Sequence, residues 1–185
     1  TKAVSEFEKI RIAKLSHPLY PDVPAAAACM IGMFQSGSYA SAFPDSCLLK
    51  GSMATLPGED SNAVKQEFRE FLKAAVADDP WLAQNPPEVV YTGYFAEPSE
   101  IPVDSPIVTT LVKNYTDILG KAPIITGREG AADIRFLNRY GDTPTVIFGP
   151  GMTEQMHANN EWVLQKDLID STRILAHTIL EWCGA

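Results

Sequence analysis

The residues with the greatest chemical reach fall in one run, residues 127–161, GREGAADIRFLNRYGDTPTVIFGPGMTEQMHANNE. His157 stands among Gln155, Met156, Ala158, Asn159 and Asn160, just past Gly149-Pro150-Gly151, with Glu161 four residues on. An imidazole near neutral pH serves as a metal ligand or a general base, and it is equally at home as an exposed loop histidine. Zinc takes three or four protein ligands, and spacing offers His157 no companion. His17 precedes a proline in a turn, and His177 lies in the last helical stretch. Asp133 and Arg135 would point to the same side of an extended segment. Such a pair is either a structural ion pair or a guanidinium fork that grips a carboxylate while the Asp holds it. Gly127 and Gly130 leave room for the backbone to come close to a ligand.

The elements that must position these groups can be read in order. Residues 2–15 form an amphipathic helix with Ala3, Phe7, Ile10 and Leu15 on one face and Glu6, Glu8, Lys9 and Arg11 elsewhere. The prolines of 16–24 end it. Strands are expected over 26–35 and 45–56, the second alternating as a half-covered strand does. Ser61 is expected to cap a helix over 62–76, whose apolar face is Val64, Phe68, Phe71, Leu72 and Ala75. A Pro-rich connection over 79–87 leads to a strand over 88–94. With one strand added upstream, this order becomes βαββαβ, the ferredoxin-like split unit. Residues 96–106 carry three prolines and no periodicity and mark a boundary. Beyond it, helix (106–119, stopped by Gly120), strand (122–125), strand (145–148) and helix (166–183) alternate as in an α/β domain. Leu168, Ile169, Thr172, Leu175 and Leu180 are expected to face inward on the last helix. The fold class is thus α/β: an α+β unit over 1–96 that lacks its first strand, then part of an α/β domain over 97–185.

Composition narrows the partners. The 185 residues are 45% hydrophobic and carry a net charge of −8, which disfavours nucleic acid, since phosphate binding needs a Lys/Arg surplus. No apolar run approaches the roughly 20 residues of a membrane span. Three cysteines without CxxC spacing read as buried thiols of an intracellular, cytoplasmic protein. No signal-peptide pattern is seen. A helix that begins at residue 2, behind Thr1 rather than Met, reads as a cut edge, so the expectation is a piece of a longer protein.

The run GREGAADIRFL, then GDTPTVIFGPG, then MHANNEWV, resembles the carboxyl-terminal part of the M20 metallopeptidase/deacylase family. SAFPDSCLLKGSMATLPGED resembles that family's lid domain, and DDPWL, NPPEVVYTG and ILEWCG resemble its acetylornithine deacetylase/succinyl-diaminopimelate desuccinylase branch. The resemblance implies an amidohydrolase whose two zinc (or cobalt) ions activate a water against an N-acyl amino acid. It also implies an inserted lid that makes a homodimer. By position, His157 matches the last metal ligand, and Gly130, Asp133 and Arg135 match the substrate-facing turn. No catalytic residue of the family falls within the chain. Its His-x-Asp ligands, bridging Asp, Glu-Glu pair and lid His are expected upstream, so the chain alone is expected to be inactive. Ser41 replaces the usual lid Asn, Ala132 the usual Thr, and 52–54 carry no Arg. The rival reading is a non-catalytic dimerisation or binding module derived from the family. An esterase using Ser36 or Ser38 lacks the G-x-S-x-G elbow.

Overall fold

A computed structural model describes residues 1–184. The chain resolves into two compact units: Thr1–Pro98 with Thr126–Ala131, and Ser99–Ile125 with the residues from Ala132 on.

The first unit is built on one antiparallel pair, β1 (Cys29–Ser36) and β2 (Cys47–Met53), whose register slips between Ile31 and Met33. Helix α1 (Lys2–Ile12) and helix α3 (Ser61–Ala75) cover one face. Val4, Phe7 and Cys29 form a core with Ile31, Met53, Phe68, Phe71 and Leu72 around it. The Phe7 ring meets Phe68 edge-on at 5.1 Å, a favoured geometry for aromatic quadrupoles. The expected face of α1 is corrected. Ile10 points outward, while Arg11 is buried, because a partner awaits it. Arg11 Nε and Nη2 donate to both oxygens of Glu59 (3.0 and 2.5 Å), and Nη1 donates to the Ala27 carbonyl (3.0 Å). Glu59 also accepts from the Leu56 amide (2.7 Å). Charge is buried there because it is fully paired.

Asp60, rather than Ser61, is the N-cap of α3. Its carboxylate accepts from the Asn62 amide, whereas Ser61 sits inside the helix and bonds Thr55. The 79–87 connection contains a short helix α4 (Pro80–Gln84), capped by Asp79 accepting from Trp81 and Leu82. Helix α2 (Val23–Ala26) likewise starts on an Asp, Asp22. Residues 88–94, expected as a strand, form no ladder among the described residues. They are held by side chains instead: Lys65 over the Phe95 ring (3.8 Å), Arg69 over Tyr91 (4.6 Å) and Tyr91 Oη donating to the Lys65 carbonyl. Cation–π contacts hold the segment where a strand partner is absent.

The second unit is carried by α5 (Pro106–Leu119) and α7 (Gln165–Cys183). Helix α5 starts with a proline at its first position and ends at Gly120 in the left-handed conformation, as its sequence indicates. Helix α7 turns Ser171, Ile174 and Thr178 into the buried side. Leu168, Ile169, Leu175 and Leu180 are exposed, which corrects the expected inward face. The side that finds cover carries Ser171 and Thr178 around Ile174, and the larger apolar side chains of the helix stay exposed among the described residues. Residues 122–125 and 145–148 are not strands; neither forms a ladder among the described residues. Among the described residues the architecture is mixed, helices with one small antiparallel sheet, and no helix is long and apolar enough to cross a membrane. Cys29 is buried, but Cys47 and Cys183 are exposed and none is bridged.

Candidate functional site

Asp133 and Arg135 do meet, though by a different route from the extended one. Asp133 is the N-cap residue of α6 (Ile134–Tyr140), with φ −73° and ψ −10°. Arg135 sits in the first turn and reaches back, so that Nη1 donates to Asp133 Oδ1 (3.1 Å) and to the Ala132 carbonyl (3.0 Å). Its guanidinium also lies 4.1 Å from the Phe136 ring centre. The arginine is buried, while Asp133 is almost wholly exposed. As placed, this fork serves its own turn.

Ahead of it, Gly130 has φ +94°, a left-handed conformation that favours glycine. The Arg128 guanidinium holds the carbonyls of Gly130 and Ala131 at 3.4 and 3.3 Å. Gly127 has no room for a side chain, since a Cβ there would overlap the Tyr20 ring.

Helix α6 also shapes the approach to His157. The Asn138 carboxamide accepts from the Thr145 amide (2.7 Å) and donates to the Thr145 carbonyl (3.2 Å). One side chain thereby makes the two bonds a neighbouring strand would make. Phe148, at the far end of the segment, meets Tyr115 of α5 edge-on. After the Gly-Pro-Gly turn comes a short 3-10 helix (Thr153–Gln155). His157 follows at φ +61°, a conformation uncommon for a non-glycine residue. Its imidazole is exposed and has no hydrogen-bond partner among the described residues, and neither has the Glu161 carboxylate.

A metal does not fit these residues alone. Among the described residues no group of three or more His, Cys, Asp or Glu side chains is close enough to hold an ion. His157 would be a single nitrogen donor where three or four are needed. Elsewhere in the second unit, a groove of about 550 Å³ between α5 and α7 is lined by Lys113, Asn114, Asp117, Arg173, His177 and Glu181. None of the motif residues lines it.

Residues 10–181 match the sequence pattern of the peptidase family M20/M25/M40. The chain belongs to this family. Two curated relatives of this M20 chain are N-formyl-4-amino-5-aminomethyl-2-methylpyrimidine deformylases. The one from Bacillus subtilis (strain 168) is 26% identical over 160 residues, covering 82% of this chain and 37% of the relative. The one from Halalkalibacterium halodurans is 25% identical over 190 residues, covering 98% and 44%. The chain thus spans less than half the length of either relative. In three dimensions it resembles an M20 family metallo-carboxypeptidase, Sso-CP2 from Sulfolobus solfataricus. The TM-score is 0.56 at 17% identity, over 96% of this chain and 44% of the other. The family is one of hydrolases that use divalent metal ions, and amide cleavage is the chemistry named for both curated relatives.

Two residues that shape this region have no signal in the sequence. Asn138 is a polar residue late in a short helix, and Tyr20 sits in a Pro-bounded loop more than a hundred positions before its glycine partner. Only the fold pairs them with Thr145 and Gly127.

Proposed function

We propose that this chain is part of an M20 amidohydrolase that removes a formyl or similarly small acyl group from an amine nitrogen. The observation that carries this is the agreement of the two curated relatives, both deformylases of one pyrimidine amide. An N-acyl amino acid such as N-acetylornithine is the alternative substrate, favoured by the resemblance of 78–93 and 179–184 to the deacetylase branch. In this reading His157 is one ligand of a divalent metal centre, zinc or cobalt, whose other ligands come from outside residues 1–184. The exposed, unpaired imidazole supports that role. Gly130, Asp133 and Arg135 face the substrate. Residues 1–96 serve as the lid and make a homodimer, and 97–185 belong to the catalytic domain.

The test uses the intact gene product and its His157→Ala variant. Release of formate from N-formyl-4-amino-5-aminomethyl-2-methylpyrimidine and of acetate from N-acetylornithine is measured alongside metal content. Formate release with about two divalent ions per subunit is expected, and the variant should lose metal and at least about 100-fold in rate. Unchanged metal and rate in the variant would remove His157 from the centre. The second reading, a non-catalytic dimerisation module, draws on the lack of a three-ligand group among the described residues. It predicts an intact protein that binds no metal and releases neither acid.

A further inference from the structure

Leu19 and Tyr20 lie in the loop between α1 and α2, far in sequence from any residue with a proposed role. Yet the Leu19 carbonyl accepts from the Gly127 amide at 2.7 Å and from Thr126 Oγ1 at 3.0 Å. The Tyr20 ring lies against the Gly127 backbone so closely that any β-carbon would overlap three ring atoms. The loop that presents the ring is itself fixed. Tyr20 N donates to the His17 carbonyl (3.0 Å), Leu19 N donates to His17 Nδ1 (3.2 Å), and the His17 ring backs Tyr20 edge-on at 5.1 Å. By contrast, Tyr20 Oη reaches the Arg128 carbonyl only at 3.5 Å, the limit of a useful hydrogen bond. The ring makes the closer contact with the turn.

We infer that Tyr20 is a positioning residue for the substrate-facing glycine turn. Its ring is the seat that fixes Gly127 and so holds Arg128 where it can grip the carbonyls of Gly130 and Ala131. The inference rests on the proposed role of Gly130 at the substrate. Clamped by the ring at 127 and the guanidinium at 130–131, the segment has little freedom to move. A backbone group that must meet a ligand gains affinity from such pre-organisation. Loss of the seat should therefore appear chiefly in substrate affinity.

The experiment compares the intact gene product with Gly127→Ala, Tyr20→Ala and Tyr20→Phe. The readouts are kcat and KM for whichever amide it hydrolyses, amide hydrogen exchange over 127–131, and the melting temperature. Gly127→Ala and Tyr20→Ala should each speed exchange over 127–131 and raise KM about tenfold with kcat changed much less. Tyr20→Phe should restore both values toward those of the unchanged protein. Tyr20→Ala removes bulk instead of adding it, so it answers the question even where Gly127→Ala fails to fold. Unchanged exchange over 127–131 in both alanine variants overturns the inference. So does faster exchange with an unchanged KM, or a lower melting temperature as the sole effect. A protein that hydrolyses neither test amide refutes the proposed function instead; the exchange data then decide by themselves whether the seat exists.

Discussion

Arg11 and Arg135 show what a buried guanidinium demands of its neighbours. Each has lost most of its water, and each is met by a carboxylate and a backbone carbonyl. The Glu59 partner of Arg11 is itself nearly buried, whereas the Asp133 partner of Arg135 is exposed. The first pair is therefore costly to break, because either survivor would be a charge in a low-dielectric place. Glu59→Ala should destabilise the protein by about 3–5 kcal/mol, read as a shift in the denaturant midpoint. Asp133→Ala should cost less, about 1–2 kcal/mol by the same measurement, since solvent screens its carboxylate and the Ala132 carbonyl still accepts from the buried Arg135. The Arg11–Glu59 pairing does not follow from local sequence. Arg11 reads as one more charge on an amphipathic helix, and Glu59 as a turn residue 48 positions away. The Asp133–Arg135 pair is legible, because two residues of chain set an upper limit on their separation. Its geometry is not, since α6 begins where an extended segment was expected.

At the scale of elements, α5 and α7 are tied by Glu181, whose carboxylate accepts from Lys113 (2.9 Å) and from the buried Asn114 (2.9 Å). The Lys113 bond, then the Asn114 bond, holds the Glu181 carboxyl below its ordinary value of 4.5. A depressed carboxyl stabilises the folded state above that ordinary value, and the contribution is lost as pH falls through the folded value. The melting temperature should thus fall less steeply from about pH 5 to about pH 3 in Glu181→Gln than in the unchanged protein. The effect is modest because Lys113 and Glu181 are exposed to solvent and salt. Helices such as α5 are legible because periodicity, an initial Pro and a terminal Gly all agree. The short apolar runs 88–94, 122–125 and 145–148 mislead for a physical reason. A strand is defined by its neighbour, and alternation along one segment carries no information about whether a neighbour is present. Asn138 and the Lys65–Phe95 contact do the holding that a ladder would have done.

For the molecule as a whole, much apolar surface is left in water. Leu168, Leu175, Ile179 and Trp182 make one stripe along α7, and Met30, Met33 and Leu48 another on one face of the β1–β2 pair. Patches of this kind bind other surfaces or aggregate. The 185 residues expressed alone should bind an apolar dye such as ANS and self-associate, as followed by fluorescence and sedimentation. Leu168→Glu with Ile179→Glu should reduce both. The first unit also draws its closing segment, Thr126–Ala131, from beyond 27 residues that belong to the second unit. Its parts are consequently made at different times. Leu19 and Thr126 lie 107 positions apart, and a ribosome adding roughly 5–20 residues per second needs about 5–20 s to cover that distance. For that interval the newly made first unit has a tyrosine and a carbonyl waiting for a partner not yet synthesised. A gene shortened at Pro98 would encode what passes by length for a whole unit, and its product would wait indefinitely.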